Sequence, residues 1–427
     1  MKNGSEKTFV KLVDCYMRTG ENDGHKLGLE LEHFVVDSMG RPIQFPLLSS
    51  IIETVGKRTG GEILMIDGHA MGVTYPEYMI TMEPACQFEI SIAPFENISE
   101  IRRVYLEFRK VWDAAFYREG YHLEVGGMMP LVERGVLKID EINLIPKKRY
   151  DHMNRHFLET GKYGKYMMRS STSTQVSIDY SSEADMVRKV RLISKIAPYL
   201  MIMMERKFTQ KTPVFEYPHL QRIQAWDHLD PARTGFVPGT FDSDFGYARI
   251  AKEIFGRSLC TLTENGETTY VGNESIADIL ERDGDTENEE RIANVMEHVI
   301  SMFFFHIRVK KYIEIRVADG NEMGKALGFA ALIKGLFYSE SAMQELEVLF
   351  RDIHTADELQ EQVLKIEKDG FSAEVYQGLT AGDWCERILD VAIRNLSGEE
   401  ADYVRAIRRE CERKNRGEWA TSEVLCS

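Results

Sequence analysis

Residues 26–34 read KLGLELEHF, and the rest of the chain is organised around this stretch. Three leucines alternate with small or polar residues, which predicts a β-strand with one face packed against a core. The same alternation places Glu30 and Glu32 side by side on the opposite face, with no basic residue between them. Two neighbouring carboxylates repel each other unless water or a cation lies over them. Taken alone, the pair is best explained as a solvated strand face.

A second alternating stretch, Met79–Pro94, has the sequence MITMEPACQFEISIAP. Its polar face carries Glu89, while phenylalanine and isoleucine side chains take the other face. Glu83 lies upstream beside Pro84, and we expect the proline to bend or interrupt the strand because it cannot donate a ladder hydrogen bond.

Two more stretches repeat the pattern further along the chain. Ser171–Tyr180 places Gln175 on a polar face, and His306–Val317, interpreted as one strand, places Glu314 and Arg316 on another. If these strands share a sheet, we expect their polar faces to form the floor of a cleft and their apolar faces to pack on helices.

Such a cleft would bring together four carboxylates, from Glu30, Glu32, Glu89 and Glu314. An oxygen-rich site suits Mg²⁺ or Mn²⁺ rather than zinc. Arg316 would add a positive charge where charge develops on a transferred phosphoryl group. The residues therefore point to metal-dependent phosphoryl transfer, with ordinary solvated strand faces as the alternative.

Other motifs give weaker evidence about the function. The sequence has neither a GxxxxGK[ST] phosphate loop nor a GxGxxG after a strand. His152 and His156 in HMNRH have metal-like spacing but lack the glutamate of HExxH, and we interpret them as a surface or loop feature. The methionines are interpreted as core filler and Cys86 as a buried, inert thiol.

Helical periodicity surrounds the strands. Residues 5–18, 46–59 and 97–119 and a long segment after Ser182 are predicted helices, whereas 213–245 reads as an irregular, functional loop. Residues 264–290 are predicted to be surface loops with a short helix, and the chain is mostly helical from about Glu322. The economical fold is α+β, with a catalytic core over 1–340 and a C-terminal helical part over 341–427 packed on it.

Composition bounds the function classes. The 427 residues carry a net charge of −15, which argues against non-specific binding to nucleic acid or to an anionic membrane. The start lacks the apolar segment of a signal peptide, and no apolar run is long enough to span a bilayer. The cysteines are scattered, without a CxxC pair, and are interpreted as reduced thiols of a cytoplasmic protein: Cys15, Cys86, Cys260, Cys385, Cys411 and Cys426.

Several motifs, in order along the chain, resemble the glutamate–cysteine ligases of plant and proteobacterial type. GLELEHF is similar to that family's G-x-E-x-E-K-F, and ITMEPACQFEISIAP to its I-x-L-E-P-G-G-Q-x-E-L-S-x-A-P. STSTQVSIDYSSEADMVRKVR is the most specific match, to T-x-x-V-Q-V-N-x-D-F/Y-S-S-E-A-D-M-x-R-K. RIQAWDHLDPARTGFVP, KKYIEIRVADG and the late NRGEWA resemble three further family segments.

This resemblance implies a glutamine synthetase-like fold, a curved and mostly antiparallel sheet with a concave active-site face. It implies phosphorylation of the γ-carboxylate of L-glutamate by ATP and displacement of the phosphate by the amine of L-cysteine. This would be the first step in the biosynthesis of glutathione or a related thiol. Chemistry agrees, because a carboxylate is a poor electrophile and an acyl phosphate supplies a good leaving group. The oligomeric state stays open between monomer and homodimer.

The resemblance also implies roles for individual residues. Glu30, Glu32, Glu89 and Glu314 would bind metal, with Glu83 a weaker candidate, and Gln175 would lie near the metal-bound nucleotide. Arg316 would stabilise the transferred phosphoryl group, with Glu314 beside it in the catalytic motif. Guanidinium groups suit carboxylate and phosphate, so the irregular loop would supply substrate-binding residues: Arg222, Arg233, Trp226 and Asp230.

The sequence departs from the family pattern at some positions. His33 replaces a lysine, Ala85-Cys86 replaces Gly-Gly, and Ser177 replaces an asparagine. We interpret these changes as touching the edges of the pocket, so that they bear on the acceptor amine more than on activation. The alternatives are a glutamate ligase for another amine, a same-fold kinase for a guanidino or carboxyl group, and a binding protein without turnover.

Overall fold

The computed structural model describes residues 2–208 and 213–418. The strands, in chain order, are β1 Leu27–Asp37, β2 Glu62–Ile66, β3 His69–Thr74, β4 Tyr78–Met82, β5 Phe88–Phe95, β6 Tyr121–Glu124, β7 Ser173–Ile178, β8 Ser258–Glu264, β9 Glu267–Ser275, β10 Ile307–Val309 and β11 Ile313–Asp319.

The helices, in chain order, are α1 Lys2–Arg18, α2 Phe45–Thr59, α3 Ile98–Arg118, α4 Pro130–Glu133, α5 Lys148–Thr160, α6 Gly164–Ser170, α7 Glu183–Met203, α8 Gln221–Asp227, α9 Tyr247–Phe255, α10 Ile276–Asp283, α11 Glu289–Ser301, α12 Met323–Phe337, α13 Glu340–Leu349, α14 Ala356–Asp369, α15 Ala381–Arg394 and α16 Gly398–Asn415. No helix in the described ranges is long and apolar enough to cross a membrane.

Strand β1 lies in the middle of the main sheet. The strand order is β10-β11-β7-β1-β5-β4-β3-β2, and β6 pairs with the far end of β1. The pairings within this sheet are antiparallel. The four alternating stretches of the sequence therefore share one sheet, and the predicted α+β class is confirmed.

The apolar face of this sheet is covered by helices. The three leucines at the start of β1 are at most 1% exposed; α12 packs against β1, and α3 packs against the neighbouring strands β5 and β6. The predicted stripe of α3 points inward, where the ring of Trp112 lies 4.8 Å from that of Phe88 on β5. Burying large aromatic side chains of this kind contributes about 2–3 kcal/mol each, so the helix is held chiefly by this face.

Helix α7 begins where the sequence predicts. The Ser182 side chain accepts a hydrogen bond from the backbone N–H of Asp185 at 3.2 Å, which satisfies one of the free amides of the first turn. The predicted helices at 5–18, 46–59 and 97–119 are also confirmed, with ends that differ by a few residues.

The C-terminal helices share the core of the sheet. Helices α14 and α15 pack against α7, and α16 packs against α12. The predicted boundary near residue 340 stays a prediction. Of the late NRGEWA motif, the part after Glu418 lies outside the described residues.

One sequence interpretation is wrong and a second is correct only in part, since the short helix predicted within 264–290 is α10. The stretch 306–317 is a hairpin, because a turn at Lys310–Tyr312 reverses the chain between β10 and β11. The turn keeps even-numbered residues on one face, so the alternation looks like that of a single strand. The acidic segment 264–290 begins with a second hairpin, β8–β9, because Asn265 and Gly266 adopt positive φ angles of 50° and 80°, as a tight turn requires.

Candidate active site

The polar face of the sheet forms the floor of a cleft of about 420 Å³. Strands β1, β5, β7 and β11 supply the floor, and helices α5, α6 and α8 supply walls. The predicted residues that line it are Glu30, Glu32, Glu83, Glu89, Gln175, Trp226, Glu314 and Arg316.

Strand register brings the predicted polar residues into neighbouring positions. Glu32 lies directly opposite Glu89 in the β1–β5 pair, and Glu30 lies opposite Gln175 in the β1–β7 pair. Gln175 Nε2 donates to Glu32 Oε1 at 3.3 Å. The period-2 alternation therefore predicted both the face and the grouping of these side chains.

The carboxylates of Glu30, Glu32 and Glu89, on the floor of the cleft, form no ion pair with a basic residue in the described part of the chain. Glu32 accepts hydrogen bonds from the Ser173 amide, at 2.8 Å, and from Gln175, while Glu89 accepts one from the Thr81 hydroxyl at 2.8 Å. Burial raises the pKa of Glu30 and of Glu32 to about 7, with further increases from Glu314 and Glu83 respectively.

Glu89 experiences the same effects more strongly. Burial and then the charge of Glu30 raise its pKa well above the usual range. A positive ion over these carboxylates would relieve the repulsion.

Glu314 differs, because basic residues surround it. Its carboxylate accepts hydrogen bonds from Arg308 Nε at 2.6 Å, Lys310 Nζ at 3.3 Å and Arg316 Nη1 at 3.2 Å. Although burial raises its pKa, the charges of these residues hold that pKa well below the usual range. One end of the cleft is therefore basic, whereas the middle is acidic.

Arg316 connects the two zones. Its Nη1 also donates to the side-chain oxygen of Gln175, and its guanidinium lies 6.0 Å from the centre of the Trp226 ring. Arg222 lies behind it, buried, and donates from Nη1 to the Arg316 backbone oxygen at 3.2 Å. Arg222 therefore supports Arg316 here, and it does not line the main cleft.

Asp230 and Arg233 are not brought to the cleft, which differs from the substrate-binding role inferred from the sequence. Arg233 is fully buried and donates from Nε to Asp230 Oδ2 at 2.7 Å, and His156 Nε2 lies 2.9 Å from the same oxygen. His156 is buried on α5, so its interpretation as a surface or loop feature is wrong. This cluster holds the irregular loop against α5.

Several cleft residues were not anticipated from the sequence. Arg308 and Lys310 come from β10 and the turn after it, and their shared parity with Glu314 is the signal that could have found them. Arg149, Tyr150 and Met153 come from α5, which no strand pattern could place.

Two departures from the family pattern do not touch the cleft. His33 is fully buried on the apolar side of β1, where Nδ1 contacts the Phe88 oxygen at 3.1 Å and Nε2 contacts the Tyr105 hydroxyl at 2.8 Å. Cys86 is buried with φ of 66°, a conformation that suits glycine. The side chains of His33 and Cys86 therefore do not contact the cleft, and the interpretation that they bear on the acceptor amine through such contacts is wrong.

The donor set fits a hard cation such as Mg²⁺. Glu30, Glu32 and Glu89 offer oxygen ligands, and burial together with neighbouring carboxylates holds their pKa values above the usual range. Within residues 2–208 and 213–418, however, no three acidic, histidine or cysteine side chains converge closely enough to hold one ion. The predicted metal ligands stay a prediction, and Glu314 is engaged by basic residues instead.

Comparison with known proteins places the chain in a family. Over 384 residues it is 25% identical to glutamate–cysteine ligase B, chloroplastic, of Oryza sativa subsp. japonica, which covers 82% of this chain and 75% of that protein. It is 25% identical over 396 residues to the chloroplastic glutamate–cysteine ligase of Brassica juncea, covering 85% and 75% respectively.

A solved structure supports the fold. The glutamate–cysteine ligase of Francisella tularensis, in complex with AMP, superposes with a TM-score of 0.53 at 12% identity, covering 93% of this chain and 84% of that one. The predicted glutamine synthetase-like class is confirmed. Because residues 26–203 and 217–422 match the family described as Glutamate-cysteine ligase family 2 (GCS2), the chain belongs to that family.

Proposed function

We propose that this protein joins L-cysteine to the γ-carboxyl group of L-glutamate in a reaction driven by ATP. The observation that carries the proposal is the division of one cleft into a basic end and an acidic floor, in a chain of the glutamate–cysteine ligase family. The product, γ-glutamylcysteine, is a precursor of glutathione.

The first step activates the γ-carboxylate of glutamate. One of its oxygens attacks the terminal phosphorus of ATP, the bond from that phosphorus to the bridging oxygen breaks, and ADP leaves with the electron pair. Arg316, with Arg308 and Lys310 behind it, lies where negative charge on the phosphoryl group would be stabilised. These side chains are already oriented by Glu314 and Gln175, so little reorganisation is needed.

The second step forms the amide. The neutral amine attacks the carbonyl carbon of γ-glutamyl phosphate, the carbon–oxygen bond to phosphate breaks, and inorganic phosphate leaves while nitrogen gives up a proton. A cleft closed by α5, α6 and α8 limits water, which would otherwise hydrolyse the intermediate.

We also propose that Mg²⁺, or Mn²⁺, is held by Glu30, Glu32 and Glu89. When bound, the ion would neutralise phosphate charge and link the nucleotide to the floor of the cleft. The position of these carboxylates on neighbouring strands of one cleft supports the proposal, because a cation between them would balance their negative charges.

A cytoplasmic location is proposed on the basis of the cysteines. The five in the described ranges, Cys15, Cys86, Cys260, Cys385 and Cys411, are unpaired. Unpaired thiols are typical of proteins in a reducing compartment.

The test is release of ADP in the presence of Mg²⁺, ATP and L-glutamate, with a panel of amines that includes L-cysteine and L-2-aminobutyrate. We expect cysteine to accelerate release above the rate without amine and to yield γ-glutamylcysteine by mass spectrometry. If another amine accelerates release while cysteine does not, the acceptor is wrong. Fast release that no amine affects would instead indicate a kinase.

A matched pair of arginine variants distinguishes loss of a cleft residue from the general effect of removing an arginine. Arg316→Ala removes the cation at the basic end, whereas Arg155→Ala removes an exposed arginine of α5 that lies 3.9 Å from Glu159. We expect the first variant to lose turnover and the second to retain it, both with unchanged circular dichroism.

A further inference from the structure

Arg149 is distinguished from the other basic residues of the cleft by its partners. Arg308, Lys310 and Arg316 all contact Glu314. Arg149 lines the same cleft, but no carboxylate of the described residues lies within ion-pair distance of it. Its Nη2 donates to the sulfur of Met302 at 3.5 Å, and its buried Nε has no hydrogen-bond partner among those residues. A guanidinium placed in this way is ready to bind an anion.

Glu83 lies at the same side of the cleft. Its carboxylate accepts a hydrogen bond from the Tyr150 hydroxyl at 3.4 Å, and Tyr150 follows Arg149 in α5. Glu83 and Arg149 line the same cleft, and both lie beside Tyr150 in the first turn of α5, so the two opposite charges lie close to that end of the helix. Opposite charges that line the same part of a cleft suit a zwitterion.

Methionine side chains line the space beside this pair. Met153 lies four residues after Arg149 on α5 and therefore on the same helix face. Met167 and Met168 from α6 complete the wall, and the three are at most 6% exposed. Thioether sulfur is polarisable and adapts to small apolar groups, so the wall suits a short uncharged side chain.

From this arrangement we propose that Arg149, Glu83 and the three methionines form the subsite for the acceptor amino acid. Arg149 binds the α-carboxylate, Glu83 accepts a hydrogen bond from the α-amino group, and Met153, Met167 and Met168 contact the thiol-bearing side chain. The inference rests on the proposed ligase function. It gives Glu83 a substrate-binding role in place of the metal-binding role inferred from the sequence.

The position of Glu83 favours the acceptor over the donor. It directly follows β4, whose Thr81 is the strand partner of Glu89, and it lines the cleft beside the acidic floor, where we place activation of the γ-carboxyl group. The attacking nitrogen must reach that carbon, so the amino group belongs near Glu83 and the α-carboxylate belongs further out, at Arg149.

The experiment compares acceptors with and without a carboxylate. L-2-aminobutyrate and 1-propylamine differ by that group alone, and neither carries an oxidisable thiol. With saturating ATP and L-glutamate, we expect the wild-type protein to favour L-2-aminobutyrate by at least ~100-fold in kcat/KM, since a site built for a polar group rejects the analogue that lacks it. In Arg149→Ala this ratio should fall by at least ~10-fold, with KM for glutamate unchanged.

Further variants test whether the effects are specific to the side chains of Arg149 and Glu83. Arg149→Lys should recover part of the ratio, and Arg155→Ala, from the exposed face of the same helix, should keep all of it. If Arg149→Ala fails to fold, Arg149→Lys and Arg149→Gln are compared instead, and Gln should show the smaller ratio. Glu83→Gln should raise KM for L-2-aminobutyrate without changing the concentration of Mg²⁺ that gives half-maximal rate.

Three results would overturn the inference. An unchanged acceptor ratio in Arg149→Ala with an increased KM for glutamate would assign Arg149 to the donor. An unchanged ratio with unchanged KM values would exclude it from substrate binding. A shifted Mg²⁺ requirement in Glu83→Gln would return Glu83 to the metal. Failure of the proposed function is distinct, because the wild-type protein itself would then show no amine-dependent release of ADP.

Discussion

Arg308 donates from Nε to Glu314 Oε2 at 2.6 Å, and the two residues are direct partners across the β10–β11 hairpin. The register of the two strands therefore places Arg308 directly opposite Glu314, the acidic residue at the basic end of the cleft. Lys310 and Arg316 contact the same carboxylate, so one negative charge holds three positive charges in place. Neutralising that carboxylate would leave all three cations without their shared partner.

Glu314→Gln should reduce kcat by at least ~100-fold, because the cations that face the phosphoryl group lose their common anchor. Uncompensated repulsion among buried cations should also lower the free energy of unfolding by about 2–3 kcal/mol. Tripolyphosphate, as an added anion, should raise the Tm of the variant more than that of the wild type. Equal shifts in differential scanning fluorimetry would mean that the cations do not bind phosphate.

Arg316→Lys should be nearly as inactive as Arg316→Ala. The Arg316 hydrogen bonds to Gln175 and to Glu314 both come from Nη1, so a lysine ammonium could replace that nitrogen but would lose Nε and Nη2, the other two donors of the guanidinium group. We expect kcat to fall by at least ~100-fold in both variants, while the Kd for ADP changes by less than ~10-fold. Single-turnover release of ADP distinguishes chemistry from binding, and near-normal rates in the lysine variant would contradict a bidentate role.

His33→Ala should affect stability rather than acceptor choice. The substitution leaves the Tyr105 hydroxyl and the Phe88 carbonyl without their buried partner, which should cost about 2 kcal/mol in urea unfolding. KM for cysteine should stay within ~2-fold of wild type, since the side chain lies behind the sheet. His33→Lys should be less stable still, because burial disfavours the charge.

Glu367 should make stability fall as pH rises. Burial and then the charge of Asp227 raise the pKa of Glu367 to about 8, above that of an unfolded glutamate. The folded state therefore binds the proton more tightly, and stability is lost between about pH 4.5 and pH 8. Glu367→Gln removes this loss, so the variant should gain about 4 kcal/mol over wild type on going from pH 5 to pH 9.

The control for this experiment is Glu361→Gln, an exposed position on the same helix with an i,i+4 contact to Lys365. Its unfolding curves at the two pH values should parallel those of the wild type. A constant difference between Glu367→Gln and the wild type across pH would show that the carboxyl group titrates normally.

Within residues 2–208 and 213–418, rapid thiol reactivity should be confined to Cys15. Burial raises the pKa of Cys86, Cys260 and Cys411 to about 12 and that of Cys385 well above its usual range, whereas Cys15 is exposed. We expect Cys15→Ser combined with Cys426→Ser to abolish rapid reaction with Ellman's reagent at pH 7.5. Guanidinium chloride should then release the four buried thiols.

The centre of the fold and the acidic floor could be predicted from sequence because both depend on period-2 alternation. In β1, each buried leucine fixes the opposite direction for its neighbours Glu30 and Glu32. The same rule placed Glu89, Gln175, Glu314 and Arg316 on one face before their pairing was known.

The walls of the cleft could not be predicted in this way. Arg149 and Met153 reach the site through the packing of α5, and no strand pattern encodes that packing. Arg233 and Asp230 look like ligand-binding residues because they are charged and lie in an irregular loop, yet Arg233 Nε donates to Asp230 away from the cleft. His33 is a polar residue whose partners, Tyr105 and Phe88, come from distant segments.

The central position of β1 has a consequence for how the chain folds. During synthesis, β1 can pair with β5 and β6 early. Its other edge can pair only after β7 has been made, and β7 can pair with β11 only after the chain has reached residue 319. Until then an apolar strand edge is open to other chains, and closing such distant pairings is slow. We expect the incomplete nascent chain to depend on chaperones. We also expect the basic end of the cleft, on β10 and β11, to be the last part of the sheet to form.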